Sequence, residues 1–496
     1  MATKKPPMSA SALDSSDASL KPINFLRGWP APSLLPAAAL QKATTAVLSD
    51  PAISVPALQY GPDPGYQPLR ENLASWLSRF YGTQESAERI AVTGGASQSV
   101  ACVLQSYTDP SYTRAVWMVA PCYFLAAGIF RDAGFDGRLR AVPEGKEGID
   151  LEYLAREVEK LEKDNRGRGS EDRPLYKDPA PYRKIYRHII YCVPSFSNPS
   201  GKTMTLGRRR ALVELARKWD ALVVCDDVYD MLQWPIIASS PTATSPLSRD
   251  DPGHPSTLQG AILPRLVDID MELGPSPHDP QGQQFGHAMS NGSFSKLVGP
   301  GMRTGWVDAA PDFAAGVSQT GSTKSGGAPS QFSAAVLCEL LRSGDLERHI
   351  ENSLKPSYQK RHALMVNAAR RALDPLGAEV RVSSLEGDKD KEHIFGGYFL
   401  WIHFPDGPDS KLVADRCREE NLAIGYGALF EVPGDEDAVK LDNDVRLCFA
   451  WEDEEDLVEG VERLGRVVEA LKKEGGDAVS PKQIATGRSG NMDEFK

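Results

Sequence analysis

Lys296 stands at the end of Ser293-Phe294-Ser295-Lys296, and Gly299-Pro300-Gly301-Met302-Arg303 follows it. Small and hydroxyl-bearing neighbours suit a lysine that reacts with a carbonyl compound to form a Schiff base. Desolvation would lower its pKa toward the neutral, nucleophilic amine. Taken alone, the same lysine also reads as an ordinary surface residue. Ser293, Ser295 and Arg303 add hydroxyl and guanidinium donors of the kind that hold a phosphate. Upstream, Asp226-Asp227-Val228-Tyr229 closes an apolar run. Carboxylates placed there need a partner, because an unpaired buried charge is costly. A protonated ring nitrogen would be one partner; a solvated strand end is the alternative.

Three further segments carry compatible chemistry. Thr93-Gly94-Gly95-Ala96-Ser97-Gln98 leads into a helical pattern with Val100, Val103, Leu104 and Tyr107. Glycines permit the sharp turn, and a helix start offers free N–H groups and a positive dipole end, which together make a phosphate seat. A plain strand–helix turn fits that segment equally well. Tyr123 in Pro121-Cys122-Tyr123 can stack on a flat ring or simply pack. Asn198, in Ser197-Asn198-Pro199-Ser200-Gly201, reads first as a turn and second as a donor to a ligand oxygen. Together these pieces describe a phosphate, a flat aromatic ring, a ring oxygen, a basic ring nitrogen and an aldehyde. Pyridoxal phosphate has all five, and a lysine Schiff base with an aspartate partner for the ring nitrogen is its signature.

The elements needed to position these residues are legible around them. Short apolar runs at 90–92, 116–120, 189–193 and 221–225 predict strands, each followed by a turn or helix signal. Leu69, Leu73, Trp76, Leu77 and Phe80 recur at helical spacing. Strands alternating with helices imply an α/β fold with a mostly parallel sheet covered on both faces. Ligands in such folds gather at the carboxyl ends of the strands, where the residues above fall.

Composition narrows the function classes. The chain has 496 residues, 41% hydrophobic and 25% charged, enough for more than one domain. Net charge is −11 without a basic stripe, which argues against a nucleic-acid partner. Arg208, Arg209 and Arg210 form the densest basic run and suit a solvated helix face. No apolar run approaches a membrane span. The seven cysteines form no C-x-x-C pair, and the eight histidines lack metal-ligand spacing. Reduced buried thiols, no metal and a cytoplasmic address are expected. Tails at 1–20 and 475–496 and insertions at 161–181 and 238–284 are expected outside the packed core.

On these motifs the sequence resembles the fold-type I pyridoxal-phosphate enzymes, specifically the class I/II aminotransferases, over about 24–471. It looks most like the branch with 2-aminoadipate and kynurenine aminotransferases and their fungal relatives. The resemblance implies a large domain over 61–330 with a mostly parallel seven-stranded sheet. It also implies a smaller α+β domain over 331–474, with 21–60 joining the small domain and a dimer contact. It implies that Lys296 is the Schiff-base lysine, that Asp226 keeps the ring nitrogen of pyridoxal 5'-phosphate protonated, and that Tyr229 and Asn198 bond its phenolic oxygen. Tyr123 would stack on the ring. Gly95, Ala96, Ser97, Ser293, Ser295 and Arg303 would hold the phosphate, joined by Tyr60 from the second subunit of a homodimer. Gly28, Asn198 and Arg446 would line the substrate site, with Arg446 clamping the α-carboxylate. The implied reaction moves an amino group from an L-amino acid to a 2-oxo acid in two half-reactions. A lyase, decarboxylase or cyclase reaction on the same cofactor is the alternative.

Overall fold

The computed structural model describes residues 20–165, 174, 176–179, 182–236, 262–324, 329–381 and 394–474. Its main sheet is built from β1 (Ile90–Thr93), β2 (Ala115–Ala120), β3 (Leu139–Gly145), β4 (Gly148–Ile149), β5 (His188–Cys192), β6 (Ala221–Asp226), β7 (Ala288–Ser293) and β8 (Gly305–Asp308). The order across the sheet is β1-β8-β7-β6-β5-β2-β3-β4. β8 runs antiparallel to both neighbours, β7, β6, β5, β2 and β3 run parallel, and the two-residue β4 turns back on β3. The expected seven strands are thus present, with β4 as a short eighth.

Side-chain alternation explains why both faces are covered. Val116 and Met118 pack on one face with Val100, Val103 and Leu104 of α1 (Ala96–Tyr107). Ala115, Trp117 and Val119 point to the opposite face, where Leu154, Leu212 and Val213 meet them. Successive strand side chains alternate faces, so a strand buried on both reads as a continuous apolar run. The periodic segment near 69–80 forms helix Gln67–Tyr81, with Leu69, Leu73, Trp76 and Leu77 buried.

A second, antiparallel sheet orders Glu379–Arg381, Phe399–His403, Asp444–Cys448 and Gly425–Tyr426 side by side. Helices Lys355–Leu373 and Glu454–Lys473 pack beside it. The N-terminal strand Ile23–Asn24 pairs in parallel with Leu422–Ala423, which ties the start of the chain to this second unit.

Both expected insertions fall only partly on described residues, 166–173, 175 and 180–181 of the first lying outside them, and each has a described part that is packed. Residues 161–165 finish helix Leu151–Asn165, and Leu161 packs on the sheet-face core, so packing extends the helix into the charged stretch. Of 238–284, residues 238–261 lie outside the described ones, but Leu266–Glu272 is a helix with Leu266, Val267 and Ile269 buried. Its aspartates are buried too: Asp268 pairs with Arg265 and Arg89, and Asp270 with Arg217. The tails at 1–19 and 475–496 also lie outside the described residues.

Candidate active site

The ends of β1, β2, β5, β6 and β7 converge on one cavity of about 250 Å³. Gly28, Ala96, Ser97, Tyr123, Asn198, Asp226, Tyr229, Ser293, Ser295, Lys296, Arg303 and Arg446 all line it. Two expected site residues stand apart. Gly95 lies just behind the wall, and Tyr60 is 86% exposed, three residues beyond helix Pro51–Ala57.

One end of the cavity is a cradle of donors. β1 runs through Gly94 and Gly95 into α1, so the N–H groups of Ala96 and Ser97 are at a helix start. Arg303 leans across this turn, with Nη2 donating to the Gly94 carbonyl at 2.9 Å and Nη1 to that of Pro300 at 3.0 Å. Glycine is required at position 95: φ is +105°, and an added Cβ would sit 2.7 Å from Arg303 Nη2. Ser293 closes the opposite side. Its Oγ accepts from the Ser295 backbone at 3.1 Å and donates to Ser295 Oγ at 2.9 Å.

Asp226, the last residue of β6, is buried behind the centre of the cavity. Tyr191 Oη donates to its Oδ2 at 2.8 Å, and Asn291 Nδ2 to its Oδ1 at 3.3 Å. Burial still pushes this carboxyl up to about 6, against those hydrogen bonds and the charge of Lys296. Lys296 Nζ donates to the Gly28 carbonyl at 2.9 Å and lies 5.0 Å and 5.7 Å from the Tyr398 and Tyr229 ring centroids. Burial brings its amine down to about 8, with Cys448 and Asp226 pulling the other way.

Arg446, on strand Asp444–Cys448, enters from the second sheet. Nη1 donates to Asn198 Oδ1 at 2.8 Å and Nη2 to the Leu26 carbonyl, and the guanidinium lies 4.2 Å from the Phe399 ring centroid. Both described acceptors are neutral oxygens, Nε has no partner among the described residues, and burial brings the pKa down to about 10. A buried cation so placed suits an incoming carboxylate.

The residues fit pyridoxal phosphate on these observations. A helix start, three serine hydroxyls and Arg303 suit a phosphate dianion, and Asp226 is a buried carboxylate open to a cationic ring nitrogen. Lys296 is a half-buried amine whose pKa is brought down to about 8, which enlarges its neutral fraction over that of an ordinary lysine. Sequence reasoning missed Tyr191, Asn291 and Phe399. Asn291 had a signal, because a polar residue inside a fully buried strand needs a partner; it faces Asp226 in the β6–β7 register. Among the described residues no cluster could hold a metal ion, and no helix is long and apolar enough to cross a membrane.

The model of the family "Aminotransferase class I and II" matches residues 32–464, and the chain belongs to that family. An uncharacterised protein of Saccharomyces cerevisiae is 33% identical, covering 90% of this chain and 97% of that one. An aromatic-amino-acid aminotransferase of Thermococcus litoralis is 26% identical, covering 91% and 89%. The solved structure of LysN, an alpha-aminoadipate aminotransferase of Thermus thermophilus complexed with N-(5'-phosphopyridoxyl)-L-leucine, is similar with a TM-score of 0.66. It is 27% identical over 91% of this chain and 93% of that one. The fold is that of the fold-type I pyridoxal-phosphate aminotransferases, and the chain is an aminotransferase acting on small amino and 2-oxo acids.

Proposed function

We propose that this aminotransferase runs both half-reactions through Lys296, on pyridoxal 5'-phosphate seated between Asp226 and the start of α1. The observation that carries this reading is the placement of a half-buried lysine, a buried aspartate and a buried arginine, from three distant parts of the chain, on one cavity wall. When bound, the cofactor supplies an aldehyde that condenses with amines and a ring that draws electrons from the substrate α-carbon.

The protein's own groups do the rest. Arg446 and Asn198 hold the α-carboxylate, which fixes the Cα–H bond toward Lys296. The Lys296 amine takes the proton from Cα, and in the second half-reaction it returns one to the Cα of the 2-oxo acid. Asp226, backed by Tyr191 and Asn291, holds a proton on the ring nitrogen. Tyr229 and Asn198 donate to the phenolic oxygen, and Tyr123 covers the ring. Ala96, Ser97, Ser293, Ser295 and Arg303 fix the phosphate.

The same reading divides the chain into a cofactor-binding domain at 61–330 and a smaller domain at 331–474. The pairing of Ile23–Asn24 with Leu422–Ala423 supports placing 21–60 with the latter. The active unit is a homodimer in which Tyr60 reaches the partner's phosphate. Seven buried free cysteines support a reducing, cytoplasmic setting.

The test is the visible spectrum of the purified protein across a screen of amino acids. Loss of the yellow band with a donor, and its return on adding a 2-oxo acid, is the expected result. A yellow protein that no donor bleaches reversibly would overturn the reading.

A further inference from the structure

We propose that Tyr398 is a positioning residue for Lys296, holding its backbone carbonyl with the phenol hydroxyl and its ammonium with the face of the ring. The inference rests on the transamination reading above, in which Lys296 takes and returns a proton at Nζ, and adds a residue to that site. Tyr398 is fully buried and stands behind the residues that line the cavity, so it acts through the lysine and not on a substrate.

Both contacts come from one side chain. Tyr398 Oη donates to the Lys296 carbonyl at 3.2 Å, across 102 residues of sequence. Nζ of the same lysine lies 5.0 Å from the Tyr398 ring centroid, within the range of a cation–π contact. A carbonyl can only accept, so the Tyr398 proton is committed to Lys296. The Tyr358 hydroxyl, 3.1 Å from Tyr398 Oη, must then be the donor in the second bond. Burial pushes both phenols above their ordinary pKa, so this chain of donors keeps its protons and its direction. The backbone of the tyrosine is pinned as well. Gly397 N–H donates to the Leu232 carbonyl at 3.0 Å, and the Tyr398 carbonyl accepts from Phe449 N–H at 3.0 Å.

The grip answers a demand of the reaction. Lys296 ends a single helical turn, Phe294–Lys296, which is a short support for a group that must deliver a proton to one carbon. The hydroxyl steadies the backbone end while the side chain stays free to swing. The ring face favours the charged amine that exists between taking the proton and returning it. Other groups face the same nitrogen. Asp226 and Cys448 favour its charge, Arg446 opposes it, and the Tyr229 ring centroid lies 5.7 Å away. All four are untouched when residue 398 alone is changed.

The test compares full-length wild type, Tyr398→Phe, Tyr398→Met and Tyr358→Phe on two readouts. One is the pH midpoint of pyridoxal phosphate uptake by the cofactor-free protein, from stopped-flow absorbance. The other is the split between kcat and KM in the loaded enzyme. Tyr398→Phe keeps the ring, so its midpoint should match wild type while kcat falls about 5- to 10-fold at a KM within about 2-fold. Tyr398→Met fills most of the same space without a ring face. Its midpoint should drop by roughly 0.5 to 1.5 pH units, the worth of a cation–π contact. Tyr358→Phe leaves the Tyr398 proton on Lys296 and should lose less in kcat than Tyr398→Phe. A Tyr398→Met midpoint that stays put or rises would overturn the grip and leave transamination standing. A Tyr398→Phe kcat equal to wild type, or a loss in Tyr358→Phe as large as in Tyr398→Phe, would overturn it too. The expected midpoint shift in a protein that transaminates no donor would support the grip and sink the transamination reading instead.

Discussion

Arg446 Nη1 donates to Asn198 Oδ1 at 2.8 Å, joining the second sheet to the turn after β5 across 248 residues of sequence. This bond fixes where a carboxylate can sit between the two units. Arg446→Lys keeps the charge but loses the planar fork, so it should raise KM for every amino acid about 10- to 100-fold. The cofactor spectrum should be unaltered. Steady-state kinetics with several donors checks this, and an effect confined to one donor would point to the side-chain pocket instead.

Burial brings the Lys296 amine down to about 8, and a lowered lysine pKa enlarges the neutral fraction at a given pH. At pH 7 roughly a tenth of the amine is neutral, against about one part in a few thousand for an ordinary lysine. Uptake of pyridoxal phosphate by the cofactor-free protein should therefore quicken with pH up to about 8 and then level. Stopped-flow absorbance across pH 6 to 10 reads this directly. A rate still climbing at pH 10 would mean an unshifted amine. Lys296→Ala should show neither the band nor turnover, a loss of at least about 10²-fold from the missing base alone.

Candidate residues beside turns are legible in the local sequence, and those defined by distant contacts are not. Lys296, Asp226, Asn198 and Tyr123 lie at strand ends beside turns, where residue type already suggests ligand contact. Tyr191 sits inside β5, and its buried ring looks like packing until Asp226 is placed beside it. Phe399 belongs to the second sheet, and nothing near it in sequence says that it lies under Arg446. Helix Leu266–Glu272 has the acidic residues of a surface loop. Arg265 and Arg217 hide them by pairing, which only the folded chain shows.

Asp226 has an energetic signature separate from catalysis. Its folded-state pKa, about 6, lies above the ordinary value of 3.8 because burial disfavours the charge. The folded protein thus binds more protons than the unfolded chain between those values. Stability of the cofactor-free protein should fall as pH rises through that window and stay reduced above it. Asp226→Asn removes the penalty, so at pH 7.5 the cofactor-free variant should be more stable by roughly 1–3 kcal/mol. Its melting temperature should rise by a few degrees while turnover drops at least about 100-fold. Calorimetric melts at pH 4 and pH 7.5 test the sign: the gain should vanish at pH 4. An equal gain at both would assign it to packing.

Tyr60 is 86% exposed, and Leu48, Val55 and Leu58 nearby are each at least half exposed, at 50%, 59% and 65%. Exposed apolar residues on helices Ala37–Ser49 and Pro51–Ala57 and the turn after them form the kind of surface that suits a partner. If that partner is a second copy, Tyr60 reaches a phosphate only in the dimer, and cofactor retention should track assembly. Sedimentation should give a dimer for wild type and for Tyr60→Phe. The phenylalanine variant should bind pyridoxal phosphate about 10-fold more weakly, having lost one hydrogen bond to a charged group. Leu58→Asp puts a charge into the interface, so it should yield monomers that lose the cofactor on dilution. Monomers of Leu58→Asp that keep pyridoxal phosphate as tightly as wild type would show that each subunit completes its own phosphate site. Tyr60 would then have no part in it.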